Sequence, residues 1–285
     1  MINTITEEKL KNIKRNKLEL KLEDVKGNFV PTEEAKERLQ KIQNFFDSKI
    51  PVMLEGPTGT SKTKTIQVLC DIKKKKLVRF NLSSETTIED LIGRLGSAGD
   101  DSWSSFKFIP GPFTDAFEKG YVLLLDEVNL GQKSVLQSME TALDTGQIEQ
   151  YIPGCGNIKI KIHPDFILVA TQNPKIEGFT NQRDELSQKF ISRFTVVEFP
   201  SFEIDELRSI AKGIAEKNNY KQNDIVQKIS DLHYQWVYEE KDSKSSSQCF
   251  TIKDINATIK VISEGQEPSD VIFMVQDIKE KNSSI

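Results

Sequence analysis

Gly56-Pro57-Thr58-Gly59-Thr60-Ser61-Lys62-Thr63 is the stretch on which the fold turns. A strand-sized apolar run, Pro51 to Glu55 (PVMLE), precedes it, and a helical stretch, Lys64 to Asp71, follows. Strand, glycine-bearing turn and helix in that order are the context of a phosphate-binding loop, because successive backbone N–H groups and the positive helix end face one point. Lys62 is placed to reach the outer phosphate oxygens, and Thr63 to offer its hydroxyl to Mg²⁺. The strict pattern G-x-x-x-x-G-K-[ST] has a second glycine where this chain has Ser61. A small side chain there is expected to keep the close backbone approach. Taken alone, the same residues also read as a glycine turn before an ordinary helix.

Outward from the loop the same rhythm recurs. Leu77 to Leu82 (LVRFNL), Tyr121 to Leu125 (YVLLL), Phe166 to Thr171 (FILVAT) and Phe194 to Phe199 (FTVVEF) have strand length and strand composition. Their near-continuous apolar character predicts strands covered on both faces, hence a parallel sheet in an α/β sandwich. A helix is expected from Pro31-Thr32-Glu33-Glu34 to Phe46, with acids in its first turn. Two insertions break the alternation. Ser97 to Pro112 is rich in Gly, Ser and aromatics, among them Trp103, Phe106 and Phe108, while Gln147 to Ile162 alternates around Pro153-Gly154-Cys155-Gly156 as a hairpin does.

After Pro200 only helical spacing remains. The apolar sets are Ile204, Leu207, Ile210, Ala211 and Ile214; Ile225, Ile229, Leu232 and Trp236; Ile252, Ile255, Ile259 and Ile262; and Val271, Ile272, Val275 and Ile278. Thr251-Ile252-Lys253-Asp254 reads as a helix start of capping-box type, and Glu239 to Gln248 as a polar linker. The expected organisation is a loosely ordered leader over 1–30, an α/β nucleotide-binding domain over 31–200 and a small all-α domain over 201–285.

Bulk composition agrees with this and removes other classes. The 285 residues are about twice a typical domain, with 37% hydrophobic and 29% charged residues, a globular balance. The formal charge of −4 does not call for nucleic acid binding. Four consecutive lysines, Lys73 to Lys76, read as a solvated connector. Three cysteines without a C-x-x-C pair suit a reducing compartment, and two histidines make a zinc site improbable. No apolar run is long enough for a membrane span and the charged N-terminus is not a signal peptide, so an intracellular, soluble protein with no membrane partner is expected.

Three further positions carry chemistry. Tyr121 to Leu125 ends in Asp126-Glu127, where an aspartate beside the phosphate loop can hold hydrated Mg²⁺ and a glutamate can orient and deprotonate water. Phe166 to Thr171 runs into Gln172-Asn173-Pro174, an amide able to bond the γ-phosphate or the attacking water and equally a plain Asn-Pro turn. Gln188-Lys189-Phe190-Ile191-Ser192-Arg193-Phe194 sets an arginine just before the last strand; without context it reads as a surface arginine at a helix end.

With these elements in order, the chain from about 30 to 280 resembles one AAA+ ATPase module: a P-loop NTPase three-layer sandwich around a parallel sheet, followed by a helical lid. The phrases LEGPTGTSKT, LLLDEVNL, HPDFILVATQNP and LSQKFISRFT are similar to the Walker A, Walker B, sensor 1 and arginine-finger segments of the dynein-related, midasin-like branch, with MoxR-type ATPases close by. The resemblance implies that Gly56 to Thr63 bind ATP, that Thr63 and Asp126 hold Mg²⁺ partly through water, and that Glu127 is the catalytic base. It further implies that Asn173 is sensor 1, that Arg193 acts on a neighbouring subunit's nucleotide, and that Asn81 restrains the catalytic glutamate. The lid position that carries a sensor 2 arginine has Lys253 as its candidate, a cation without the bidentate fork.

The activity so implied is Mg²⁺-dependent ATP hydrolysis coupled to remodelling of a protein or ribonucleoprotein client, related to ribosome assembly in a midasin-like role. The nucleus would be its place in that role, the cytoplasm otherwise. A single module gives Arg193 no partner site within the chain, so self-association or other AAA+ modules in a ring, of hexameric type, are expected. The alternatives are a non-hydrolysing nucleotide-gated scaffold and, less in keeping with the charge, a DNA motor.

Overall fold

The computed structural model describes residues 29–97, 106–152, 156–173, 186–238 and 252–273. Leader positions before Phe29, Trp103, the hairpin tip at Pro153 to Cys155, Pro174, the linker Glu239 to Gln248, Thr251, Val275 and Ile278 lie outside the described residues.

Helix α1 (Glu33–Asp47) starts on Thr32, whose hydroxyl accepts from the Ala35 N–H, and carries Glu33 and Glu34 in its first turn, where the helix dipole favours acids. Strand β1 (Val52–Glu55) feeds the glycine loop and α2 (Lys62–Lys73); β2 (Leu77–Asn81) and the short α3 (Ile88–Leu91) follow. Strands β3 (Gly93–Ser97) and β4 (Phe106–Pro110) pair antiparallel, so the first insertion begins earlier than its composition suggests. Gly93, at φ 134°, is what admits that pairing: a Cβ there would lie 2.5 Å from the Ile109 carbonyl oxygen.

Next come α4 (Pro112–Lys119), β5 (Val122–Asp126), a 3₁₀ turn at Val128–Leu130 and α5 (Lys133–Thr145). Strands β6 (Gln147–Ile152) and β7 (Gly156–Lys161) form the second hairpin, antiparallel as the alternating pattern predicts. Strand β8 (Ile167–Gln172), α6 (Gln188–Ile191) and β9 (Thr195–Glu198) complete the α/β part.

The central sheet has the order β2-β5-β8-β1-β9, and each pairing within it is parallel. Its two faces bury separate cores. Phe113, Phe117, Leu123, Leu125, Met139 and Phe166 pack on one side, and Leu39, Ile42, Leu54, Ile66, Leu124 and Val169 on the other. That is why β5 and β8 read as unbroken apolar runs: alternate side chains enter opposite cores, and neither face meets water. In the Lys73 to Lys76 connector, Lys73 pairs with Asp47 on α1 at 2.8 Å and the Lys76 ammonium lies 4.3 Å from the Tyr121 ring centre.

Beyond β9 the elements among the described residues are helices: α7 (Ile204–Lys217), α8 (Asn223–Tyr238), α9 (Ile252–Ser263) and a further helical stretch at 268–273. Leu207, Ile210, Ile214, Ile229, Ile255 and Ile259 close a third core of their own. Phe29, within the stretch read from sequence as a loose leader, is buried against the sheet core, and its carbonyl accepts from Lys217 Nζ at 2.7 Å. Among the described residues no helix is long and apolar enough to cross a membrane.

Candidate active site

The loop between β1 and α2 is shaped by its contacts. A Cβ on Gly56 would sit 1.9 Å from the Phe199 carbonyl oxygen, so no other residue fits beneath the segment after β9. Gly59 and Ser61 both have positive φ, 89° and 63°. The second glycine of the strict motif is therefore missing at a left-handed position. Conformation, more than the close approach expected from sequence, is what a glycine would supply there, and serine adopts it at a cost of about 1 kcal/mol. Buried Lys62 turns back over the loop, its Nζ donating to the carbonyls of Gly56 and Pro57 at 2.7 Å each and to Asn173 Oδ1 at 2.9 Å.

Asp126 ends β5 at the C-terminal edge of the sheet, where the register sets it beside Asn81, and only 4% of it is exposed. Its Oδ1 accepts from Thr171 Oγ1 at 2.8 Å and from Thr63 Oγ1 at 3.0 Å, and its Oδ2 accepts from Arg79 Nε. A hydroxyl and a carboxylate side by side are hard oxygen donors of the type Mg²⁺ takes, so these residues fit the ion.

Glu127 follows with φ 55°, a left-handed conformation at a non-glycine residue, and its N–H donates to Thr171 Oγ1 at 3.1 Å. That bond fixes the sharp exit from β5 and turns the Glu127 carboxylate toward Asn173, whose Nδ2 approaches Oε1 at a long 3.5 Å. Asn129 Nδ2 donates to the Asn173 carbonyl at 3.1 Å and anchors the other end. Asn81 lines the same cleft, but the hydrogen bond to Glu127 comes from Asn173, across the sheet from where the resemblance places the restraint.

Of these residues Lys62, Thr63, Arg79, Asn81, Asp126, Glu127, Thr171 and Asn173 line one cleft of about 670 Å³. Its lining takes in the glycine loop with Asp126, Glu127 and Asn173, together with Phe29, Val30, Ile210, Ile214 and the first turn of α9. Lys253 on that turn is exposed and lines the same cleft. Arg38 and Glu206 form an ion pair, reinforced by Thr32, that joins α1 to α7 at the cleft's edge.

Residues 51–194, just over half of the chain, match the AAA domain of the dynein-related subfamily. The chain belongs to that family. Midasin of Dictyostelium discoideum is 35% identical over 146 residues, which is 51% of this chain and 2% of that protein. Midasin of Giardia intestinalis is 27% identical over 234 residues, 80% of this chain and 5% of its own length. The chain thus spans a small fraction of these relatives. The fold of NtrX from Brucella abortus, crystallised with ADP, superposes with a TM-score of 0.57 at 18% identity, covering 88% of this chain and 54% of that one. The architecture of this AAA domain is that of a nucleotide-binding fold.

Arg193 stands apart from the cleft. Its guanidinium is held by Asp144 at the end of α5, in a group that also contains Lys189 and Glu140, and its side chain is 13% exposed. The hydrogen bond from Arg193 keeps the Asp144 carboxyl below the usual carboxylate range. Of the residues that shape this AAA site, Thr171, Asn129 and Arg79 escaped sequence reasoning. Thr171 sits inside an apolar strand pattern and Arg79 in a strand-sized run, and neither motif spacing nor composition marks them.

Proposed function

We propose that this AAA domain binds ATP with Mg²⁺ and hydrolyses it. The observation that carries the reading is the convergence of Lys62, Thr63, Asp126, Glu127 and Asn173, from three separate segments, on one cleft. The glycine-loop N–H groups and the start of α2 bind the phosphates. Lys62, now resting on loop carbonyls, transfers its charge to the outer phosphate oxygens. Thr63 and Asp126 would hold the metal ion, which when bound would neutralise charge on the phosphates. Glu127 Oε1 orients a water and takes its proton, while the Asn173 amide, bonded to both Lys62 and Glu127, keeps base and phosphate ligand in register.

Completion of the site is proposed to come from outside the chain. Arg193 lies away from its own cleft, which suits a residue presented to a neighbouring module in a ring, hexameric by analogy with the family. Lys253 on the lid reaches the nucleotide from the helical side, so that lid motion follows nucleotide state and remodels a protein or ribonucleoprotein client.

Glu127→Gln is the direct test. The variant should bind ATP as the parent does and turn over at least about 100-fold more slowly, the usual contribution of a general base. Undiminished phosphate release would remove Glu127 from the mechanism; tight ATP binding with no turnover in the parent protein, at any concentration, would favour a nucleotide-gated scaffold.

A further inference from the structure

Arg79 is not required by phosphate-loop chemistry, yet its Nε donates to the carboxylate of Asp126. The two partners are unequal. The Asp126 side chain is 5% exposed and pinned by the hydroxyls of Thr63 and Thr171, whereas the Arg79 side chain is 53% exposed and belongs to β2, at the edge of the sheet. Asp126 cannot leave the contact without breaking the core; Arg79 can, by rotating its long side chain into the solvent-filled cleft it lines. A divalent cation held by Thr63 and Asp126 draws on the same buried carboxylate that Arg79 neutralises, and two cations beside one carboxylate repel each other.

We propose that Arg79 is a displaceable counter-ion of Asp126, so that guanidinium and Mg²⁺ compete for the negative charge of this one carboxylate and Arg79 sets how strongly nucleotide binding depends on the metal. The proposal rests on the ATP and Mg²⁺ reading of the cleft. With the metal withheld, Arg79 keeps the negative charge of Asp126 from repelling the phosphates. When the metal enters, Arg79 gives up its contact with the carboxylate. Its removal therefore has opposite effects on the two forms of the nucleotide, weakening metal-free ATP and easing entry of the metal complex.

Binding of a fluorescent ATP analogue, titrated in EDTA and again in excess Mg²⁺, reads this directly. For Arg79→Met the ratio of the metal-bound to the metal-free affinity should rise about tenfold over the parent, the scale of one charge-assisted hydrogen bond partly screened by water. Arg79→Lys, which keeps the charge, should recover most of the parent ratio. A purely structural role would shift both affinities together, and an unchanged ratio in Arg79→Met overturns the proposal. A second arm needs no nucleotide: Mn²⁺ binding to the protein alone, followed by electron paramagnetic resonance, should be tighter in Arg79→Met than in the parent and lost on adding Asp126→Asn. Equal Mn²⁺ affinity in parent and Arg79→Met also overturns it. Failure of the parent to bind ATP would instead refute the proposed function, leaving the Mn²⁺ comparison to decide Arg79.

Discussion

Thr171→Val removes one hydroxyl, keeps the shape, and tests how the acidic pair is held. Thr171 is 3% exposed; its Oγ1 donates to Asp126 Oδ1 at 2.8 Å and accepts the Glu127 N–H at 3.1 Å. A buried hydrogen bond to a carboxylate contributes about 2 kcal/mol and a neutral one about 1 kcal/mol. Against this sum of about 3 kcal/mol, valine is easier to bury than a hydroxyl by roughly 1 kcal/mol, so the net loss should be about 2 kcal/mol. At a urea m-value of about 2–3 kcal/mol/M, the unfolding midpoint should fall by about 0.7–1 M. Turnover should fall as well, because the Glu127 N–H that fixes its left-handed φ of 55° has lost its acceptor. Thr171→Ser keeps the hydroxyl and should recover turnover with only the smaller loss of a methyl, about 1 kcal/mol. An unchanged midpoint together with unchanged phosphate release in Thr171→Val would refute the bridging role.

The remaining expectations concern residues outside that bridge. Arg193→Ala should retain ATP affinity and lose turnover, and mixing it with Lys62→Ala should restore part of the activity, since each variant supplies what the other lacks across an interface; no restoration in a phosphate-release assay would count against action in trans. The Asp144 carboxyl lies below its usual range through Arg193, so its contribution to stability is complete above the ordinary carboxylate value and fades as pH falls through the lowered one. Asp144→Asn should accordingly flatten the acid limb of a urea-midpoint profile. Burial pushes the Cys70 thiol up to about 12, so it stays protonated in the folded chain near neutral pH. The contribution of the buried thiol is complete below the ordinary thiol range and is lost as pH rises toward that value. Iodoacetamide at pH 8 should leave Cys70 unmodified until the chain is unfolded, as peptide mapping by mass spectrometry would show.

Legibility in the sequence followed the range of the forces involved. The strands β1, β5 and β8 and their parallel arrangement are readable because burial on both faces writes a continuous apolar run into each, whereas the edge strands β2 and β9 are partly exposed and are read from strand length and composition. The phosphate loop was readable because strand, turn and helix are contiguous and glycine spacing is a local property. The beginning of the first insertion was not: β3 (GRLGS) has too little hydrophobic alternation, and only pairing with β4 makes it a strand. From sequence Ser61 reads as a size requirement, but its φ of 63° shows a conformational one, which composition cannot express.

By itself the amino-acid sequence determined the α/β class, the loop, the acidic pair at the end of β5 and the helical character of the C-terminal part, all carried by periodicity and short-range spacing. Tertiary structure alone decided what touches what. It joined Thr171 to Asp126 and to the Glu127 N–H, Asn173 to Lys62, Arg79 to Asp126 and Arg193 to Asp144, pairs 44 to 111 residues apart in the chain. The reason is physical: a hydrogen bond or an ion pair depends on a few ångströms of separation, which strand order and register set, and neither quantity is encoded in the neighbours of any one residue.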